Sequence, residues 1–169
     1  AALGRALAQL SRIPATATLD AVGEAVLTEA EADAYLARNL RLLSWLSART
    51  GAPNLSLKLS ALTPRFDPLD AEGTQAAILG RIEPFMARAL EARAAVTLDM
   101  EHYEFKPLIL SLFREWVTAH PAPGWLPGIA LQAYLPETER DLLGLIRFAE
   151  AEKRRIAIRL VKGAYWDTE

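Results

Sequence analysis

The sequence predicts an α/β fold of parallel strands alternating with helices, and three observations point there. Five short, apolar, β-branched stretches recur along the chain with a helical stretch between each pair, at spacings that suit one crossover unit each. No Gly-x-Gly-x-x-Gly turn follows any of them, which counts against the open dinucleotide-binding sheet that shares this alternation. Every stretch also ends in polar residues: Asp20 and Glu24, Lys58, Asp99 and Glu101, Gln132, then Arg159 and Lys162. In a (β/α)8 barrel of the TIM type such strand ends form one rim, where barrel enzymes place their chemistry. A closed barrel takes about 250 residues. These 169 residues therefore read as about the first five β/α units of one, truncated after strand five.

Each element has a local reason. Ala1 to Arg12 carries leucine and alanine at helical spacing, and Pro14 ends it. Thr16 to Val22 alternates β-branched, small and apolar residues as a first strand. Thr28 with Glu31 spells a capping box, so a helix is expected over 29–49 with Tyr35, Leu36, Leu40, Leu43 and Leu46 inward. Gly51 and Pro53 break it, and 55–60 is the second strand, with Lys58 in its middle. A helix over 70–93 places Ile78, Ile82, Phe85, Met86 and Leu90 in register. The third strand is 95–100 and a helix follows over 106–118. The fourth strand, 129–133, emerges from a proline- and glycine-rich loop. Pro136 is expected in the first turn of a helix running to about residue 153. The last strand, 156–161, reads as buried, with Arg159 inside the apolar run.

Composition narrows the function. A hydrophobic share of 51% suits a soluble globular core, and a mixed-sign net charge of −2 leaves no footprint for nucleic acid. No run approaches the roughly 18 apolar residues of a membrane span, and no signal-peptide pattern opens the chain. With no cysteine, disulfides, thiol catalysis and cysteine-held metals drop out. Only His102 and His120 remain as histidines, so no metal site is expected. His102 falls on a loop, with no catalytic role expected.

The rim residues suggest their own chemistry. Arginine in an apolar strand is costly to bury unless a carboxylate or an anionic ligand meets it. A strand-capping ion pair is the plain reading of any one cation here. Several cations converging on one rim suit a substrate carboxylate or an electron-rich cofactor. A carboxylate beside them could orient a cation or take a proton. Tyr165 and Trp166 could wall a flat ligand or simply pack. That reading reaches a barrel enzyme acting on a small anionic molecule.

Five segments carry a closer resemblance. Leu19-Asp-Ala-Val-Gly-Glu-Ala25, Leu57-Lys-Leu-Ser-Ala-Leu62, Leu98-Asp-Met-Glu101, Leu131-Gln-Ala-Tyr134 and Arg159-Leu-Val-Lys-Gly-Ala-Tyr-Trp-Asp167 resemble, in order, successive strand motifs of the proline dehydrogenase family. The form is most similar to the proline dehydrogenase part of bifunctional proline utilisation flavoenzymes. The resemblance implies a distorted barrel that holds FAD and oxidises L-proline to Δ1-pyrroline-5-carboxylate, with a quinone as electron acceptor. Implied partners also include a pyrroline-5-carboxylate dehydrogenase domain or protein. The implied location is cytoplasmic, with peripheral contact to the inner membrane. Position by position, it implies Lys58 on the proline carboxylate, Asp99 as the strand-three catalytic carboxylate, and Met100 and Gln132 against the flavin. Arg159 would lie beside the flavin N5 and pair with Glu24 as a gate. Lys162, Gly163 and Ala164 would line the FAD, and Tyr165 would pack on the substrate ring. The family's last three strands and its final helix, with an arginine pair, lie outside these residues. The alternatives are an inactive barrel fragment serving assembly or regulation, or a hydroxyproline dehydrogenase.

Overall fold

The computed structural model describes residues 2–10, 12–23, 25–51 and 53–163. Five strands and five helices alternate in it: α1 (Ala2–Leu10), β1 (Leu19–Asp20), α2 (Glu29–Ser47), β2 (Asn54–Leu57), α3 (Ala71–Glu91), β3 (Ala95–Leu98), α4 (Lys106–Ala119), β4 (Pro127–Gln132), α5 (Thr138–Ala151) and β5 (Ala157–Val161). The strands form one all-parallel sheet in sequence order, β1 to β5. That is the topology of a barrel wall, in which each helix returns the chain to the next strand position.

Local chemistry starts the helices as expected. The Glu31 amide donates to Thr28 Oγ1 at 3.2 Å and the Thr28 amide donates back to Glu31 Oε2 at 3.2 Å, closing the capping box of α2. Asp70 caps α3 by accepting from the Gly73 amide at 3.0 Å. Pro84 lies inside α3 on its exposed face, where water can take the carbonyl that loses its helical donor. Pro136 does not enter α5. It precedes Glu137, which caps the helix without a side-chain bond, so the proline ends the preceding turn instead.

The core lies between the sheet and the helices. Leu55, Leu57, Val96, Leu98, Ile129 and Leu131 meet Ile78, Ile82, Phe85, Met86, Ile109, Phe113 and Trp116, all buried. Each such side chain contributes about 1.5–3 kcal/mol through the apolar surface it withdraws from water. The strands are shorter than their apolar stretches. Lys58 and Asp99 fall just past the ends of β2 and β3, so their side chains leave the sheet at its C-terminal edge. The expectation of a buried β5 is corrected: Leu160 is 57% exposed and Arg159 is also exposed. Among the described residues only β4 flanks this strand, and none of them covers its outer edge.

Candidate functional site

The strand register decides which polar residues meet. Ser56 pairs with Thr97 and Leu57 with Leu98, an offset of 41 that continues past the strands to bring Lys58 beside Asp99 and Ser60 beside Glu101. The Asp99 amide donates to the Leu57 carbonyl at 2.8 Å and sustains that register. Ala130 is the register partner of Arg159, and Leu98 that of Ile129. One row across the rim therefore reads Lys58, Asp99, Ala130, Arg159, with all side chains on one face.

Within that row the ions pair. Lys58 Nζ lies 3.1 Å from Asp20 Oδ2 and 3.2 Å from Asp99 Oδ2. Asp99 Oδ1 accepts from Arg159 Nη2 and, at 2.5 Å, from the Ser56 hydroxyl. Asp99 is thus a buried carboxylate held by two cations and a hydroxyl, which compensates its desolvation. Partial burial alone would push the Lys58 ammonium down, but the bond to Asp20 and the charge of Asp99 outweigh it and raise it, so Lys58 stays a cation. Its amide donates to the Tyr35 hydroxyl at 3.0 Å, anchoring the end of β2 to α2. The Arg159 side chain is 43% exposed and presents its remaining donors to solvent.

A second cluster sits one step further out. The Glu101 carboxylate accepts from the Ser60 amide at 3.1 Å and from the Ser60 hydroxyl, and burial raises its pKa. The Gln132 amide donates to the Glu101 carbonyl at 3.0 Å, while the Thr138 hydroxyl donates to the Gln132 carbonyl at 2.5 Å.

Of the residues singled out from sequence, Lys58, Asp99 and Arg159 come together. Gln132 joins through Glu101. Met100 is buried in the core, and the Lys162 side chain is exposed past β5. Gly163 adopts φ +133°, and a Cβ there would lie 1.1 Å from the Tyr134 ring, so backbone and packing both demand glycine. Glu24, Ala164 and Tyr165 lie outside the described residues. Ser56 and Ser60 were missed as site residues. Their spacing of two from Lys58 places them on the same face, a signal hidden because serine is common and chemically quiet.

A family model described as proline dehydrogenase matches residues 3–169. The chain belongs to the proline dehydrogenase family. It is 30% identical over 157 residues to the bifunctional protein PutA of Escherichia coli K12, covering 89% of this chain and 12% of that protein. The Rhizobium meliloti PutA is 34% identical over 118 residues, covering 69% of this chain and 10% of the relative. The chain therefore spans about an eighth of the length of the first of these and less of the second. Among solved structures, Bdellovibrio bacteriovorus PutA inactivated by N-propargylglycine superposes with a TM-score of 0.87 at 30% identity, over 99% of this chain and 19% of that one. Corynebacterium freiburgense PutA gives 0.87 at 31% identity, over 96% and 17%. The five-stranded sheet thus matches part of the PutA barrel.

Family membership implies FAD in full-length members. The donor set at this rim fits such a group. The Arg159 guanidinium stands half-exposed at the end of β5 and Lys162 follows with an exposed side chain, while the Gln132 amide at the end of β4 is buried and donates to the Glu101 carbonyl. An exposed arginine at the rim, with a second cation just past the strand, suits the electron-rich edge of a flavin. Among the described residues no cluster of histidine, aspartate and glutamate could hold a metal ion, and no helix is long and apolar enough to cross a membrane.

Proposed function

We propose that this chain supplies the substrate- and flavin-facing side of an FAD-dependent proline dehydrogenase, which oxidises L-proline to Δ1-pyrroline-5-carboxylate and passes the electrons to a quinone. The observation that carries this reading is Asp99 gripped by both Lys58 and Arg159 at the strand ends of a barrel wall. Family membership supports proline as the substrate.

Bound FAD supplies the hydride acceptor. The residues of this chain bind and orient. Lys58, kept cationic, receives the proline carboxylate by exchanging it for Asp20, its more exposed partner. Asp99 holds the Lys58 and Arg159 cations apart at a set spacing. Their charge favours the neutral secondary amine of bound proline, which must shed its proton before hydride can leave the adjacent carbon. Arg159, at the exposed end of the row, would offer its cation to a bound flavin and stabilise negative charge there. Gln132, Lys162, Gly163 and Ala164 belong to the flavin side, and Met100 adds only its backbone there, since its side chain packs in the core. Tyr165 packs on the substrate ring, and Glu24 serves as the gate partner of Arg159.

The uncovered edge of β5 supports a barrel closed by further strands, so that the site is completed beyond these five units. Electron transfer to a quinone fits work in the cytoplasm at the inner-membrane face. The test is the flavin absorption spectrum of the purified protein with FAD, followed anaerobically on adding L-proline. Bound flavin that bleaches supports the reading. Flavin that binds in an eight-stranded protein and does not bleach rejects proline as substrate.

A further inference from the structure

Glu101 has no part in the ion-pair row, yet it is one of the most completely buried carboxylates of the rim, 4% exposed. Burying a carboxylate is costly, and an apolar residue of similar volume would fill the space at less cost. The compensation it receives is specific. Its two carboxylate oxygens take the Ser60 amide and the Ser60 hydroxyl, at the end of the segment that carries Lys58. Its own carbonyl takes the Gln132 side chain, at the end of β4, and Thr138 clamps the Gln132 carbonyl from the start of α5. One residue therefore ties three consecutive strand ends, two residues above the row that holds Lys58, Asp99 and Arg159.

We propose that Glu101 is a positioning residue, a buried bridge that sets the spacing between Lys58 on one side and Gln132 on the other, and so between the substrate carboxylate site and the flavin contact. This rests on the proposed reading of the rim as a proline and FAD site. Ser60 acts with it as the other half of the bridge. A misplacement of about 1 Å at either end is enough to cost a reaction that depends on alignment.

The test compares Glu101→Ala, Glu101→Gln and Ser60→Ala in the FAD-loaded protein. The readouts are the visible flavin spectrum, FAD affinity by titration, KM and kcat for L-proline, and Tm. Glu101→Ala should raise KM by about tenfold and weaken FAD by a comparable factor, with a smaller loss in kcat at saturation. Glu101→Gln keeps an oxygen for the Ser60 amide and should recover most of both losses. Ser60→Ala should fall between them, and it decides the matter if Glu101→Ala does not fold. A folded Glu101→Ala protein with unchanged KM and FAD affinity would overturn the proposal, because the carboxylate would then only pack. So would a Glu101→Gln protein as defective as the alanine variant with the loss in kcat, because the charge or proton would then matter rather than the position. If L-proline fails to bleach the wild-type flavin, the proposed substrate falls on its own. FAD affinity and the flavin spectrum across the three variants still judge the bridge in that case.

Discussion

Arg159 reaches across Ala130 to bond Asp99, its register neighbour's neighbour. The contact spans 60 residues of sequence and two strand spacings, and the side chain between the partners is a methyl group. Ala130 is buried, so nothing larger fits there without displacing one partner. The smallest residue in the row sets the reach of the largest.

Ala130→Leu should therefore separate Arg159 from Asp99. Overpacking at a buried position costs about 1–3 kcal/mol, so the protein should stay folded with a lower Tm. The rate of flavin bleaching by L-proline should fall more than the Tm shift alone explains. An unchanged rate would mean that the ion pair is dispensable.

The two cations should separate kinetically. Lys58→Ala should mainly raise KM for L-proline, by about 10–100-fold if it loses one charge-assisted contact of about 1.5–3 kcal/mol. Arg159→Ala should mainly lower kcat. Steady-state kinetics with the opposite split would reject both assignments.

A buried lysine outside the site should govern the acid limit of stability. Lys106 opens α4 with its side chain 7% exposed, and its Nζ lies 2.8 Å from Glu137 Oε1 and 2.9 Å from Asp141 Oδ2. Bonds from Lys106 and Tyr103 hold Glu137 down to about 2. A depressed carboxylate stabilises the fold above its ordinary range, and that contribution is lost as pH falls from the ordinary glutamate range towards about 2. Lys106→Ala should cost about 3 kcal/mol at pH 7, because it removes the cation between two carboxylates. Lys106→Met should also flatten the decline in urea stability below pH 5. Wild-type steepness in that variant would place the acid limit elsewhere.

Glu101 should act in the opposite sense. Burial raises its pKa, with Asp99 adding to the effect while Ser60 and the Lys58 charge oppose it. A raised carboxylate favours folding below its ordinary range, and that contribution is lost as pH rises through its folded value. Glu101→Gln removes this titration. Thermal unfolding between pH 4 and pH 8 should then show a shallower fall in stability towards high pH than in the wild type.

Gly163→Ala should distort the end of β5 on two counts. The strained backbone costs about 1–3 kcal/mol, and the added methyl strikes the Tyr134 ring. Pairing it with Tyr134→Ala should restore the steric part of the Tm loss and leave the backbone part. Complete recovery in the double variant would show that φ is not the constraint.

The sequence by itself determined the alternation of strands and helices, the capping box at Thr28, the inward faces of α2 and α3, and the polar character of the five strand ends. All of these depend on residues a few positions apart: periodicity, caps and breakers act locally. The five motifs also pointed to the family. Tertiary structure alone decided which carboxylate meets which cation. Lys58 and Arg159 could each have met any rim acid, and the strand register joined both to Asp99 and left Glu101 to Ser60 and Gln132. The same holds for Lys106, which reads as an exposed helix-start lysine until α5 places Glu137 and Asp141 over it. Exposure of β5 was equally illegible, because an apolar strand looks the same in sequence whether one neighbour covers it or two. Pairings between distant segments depend on register and on what lies between them, and no local pattern records either.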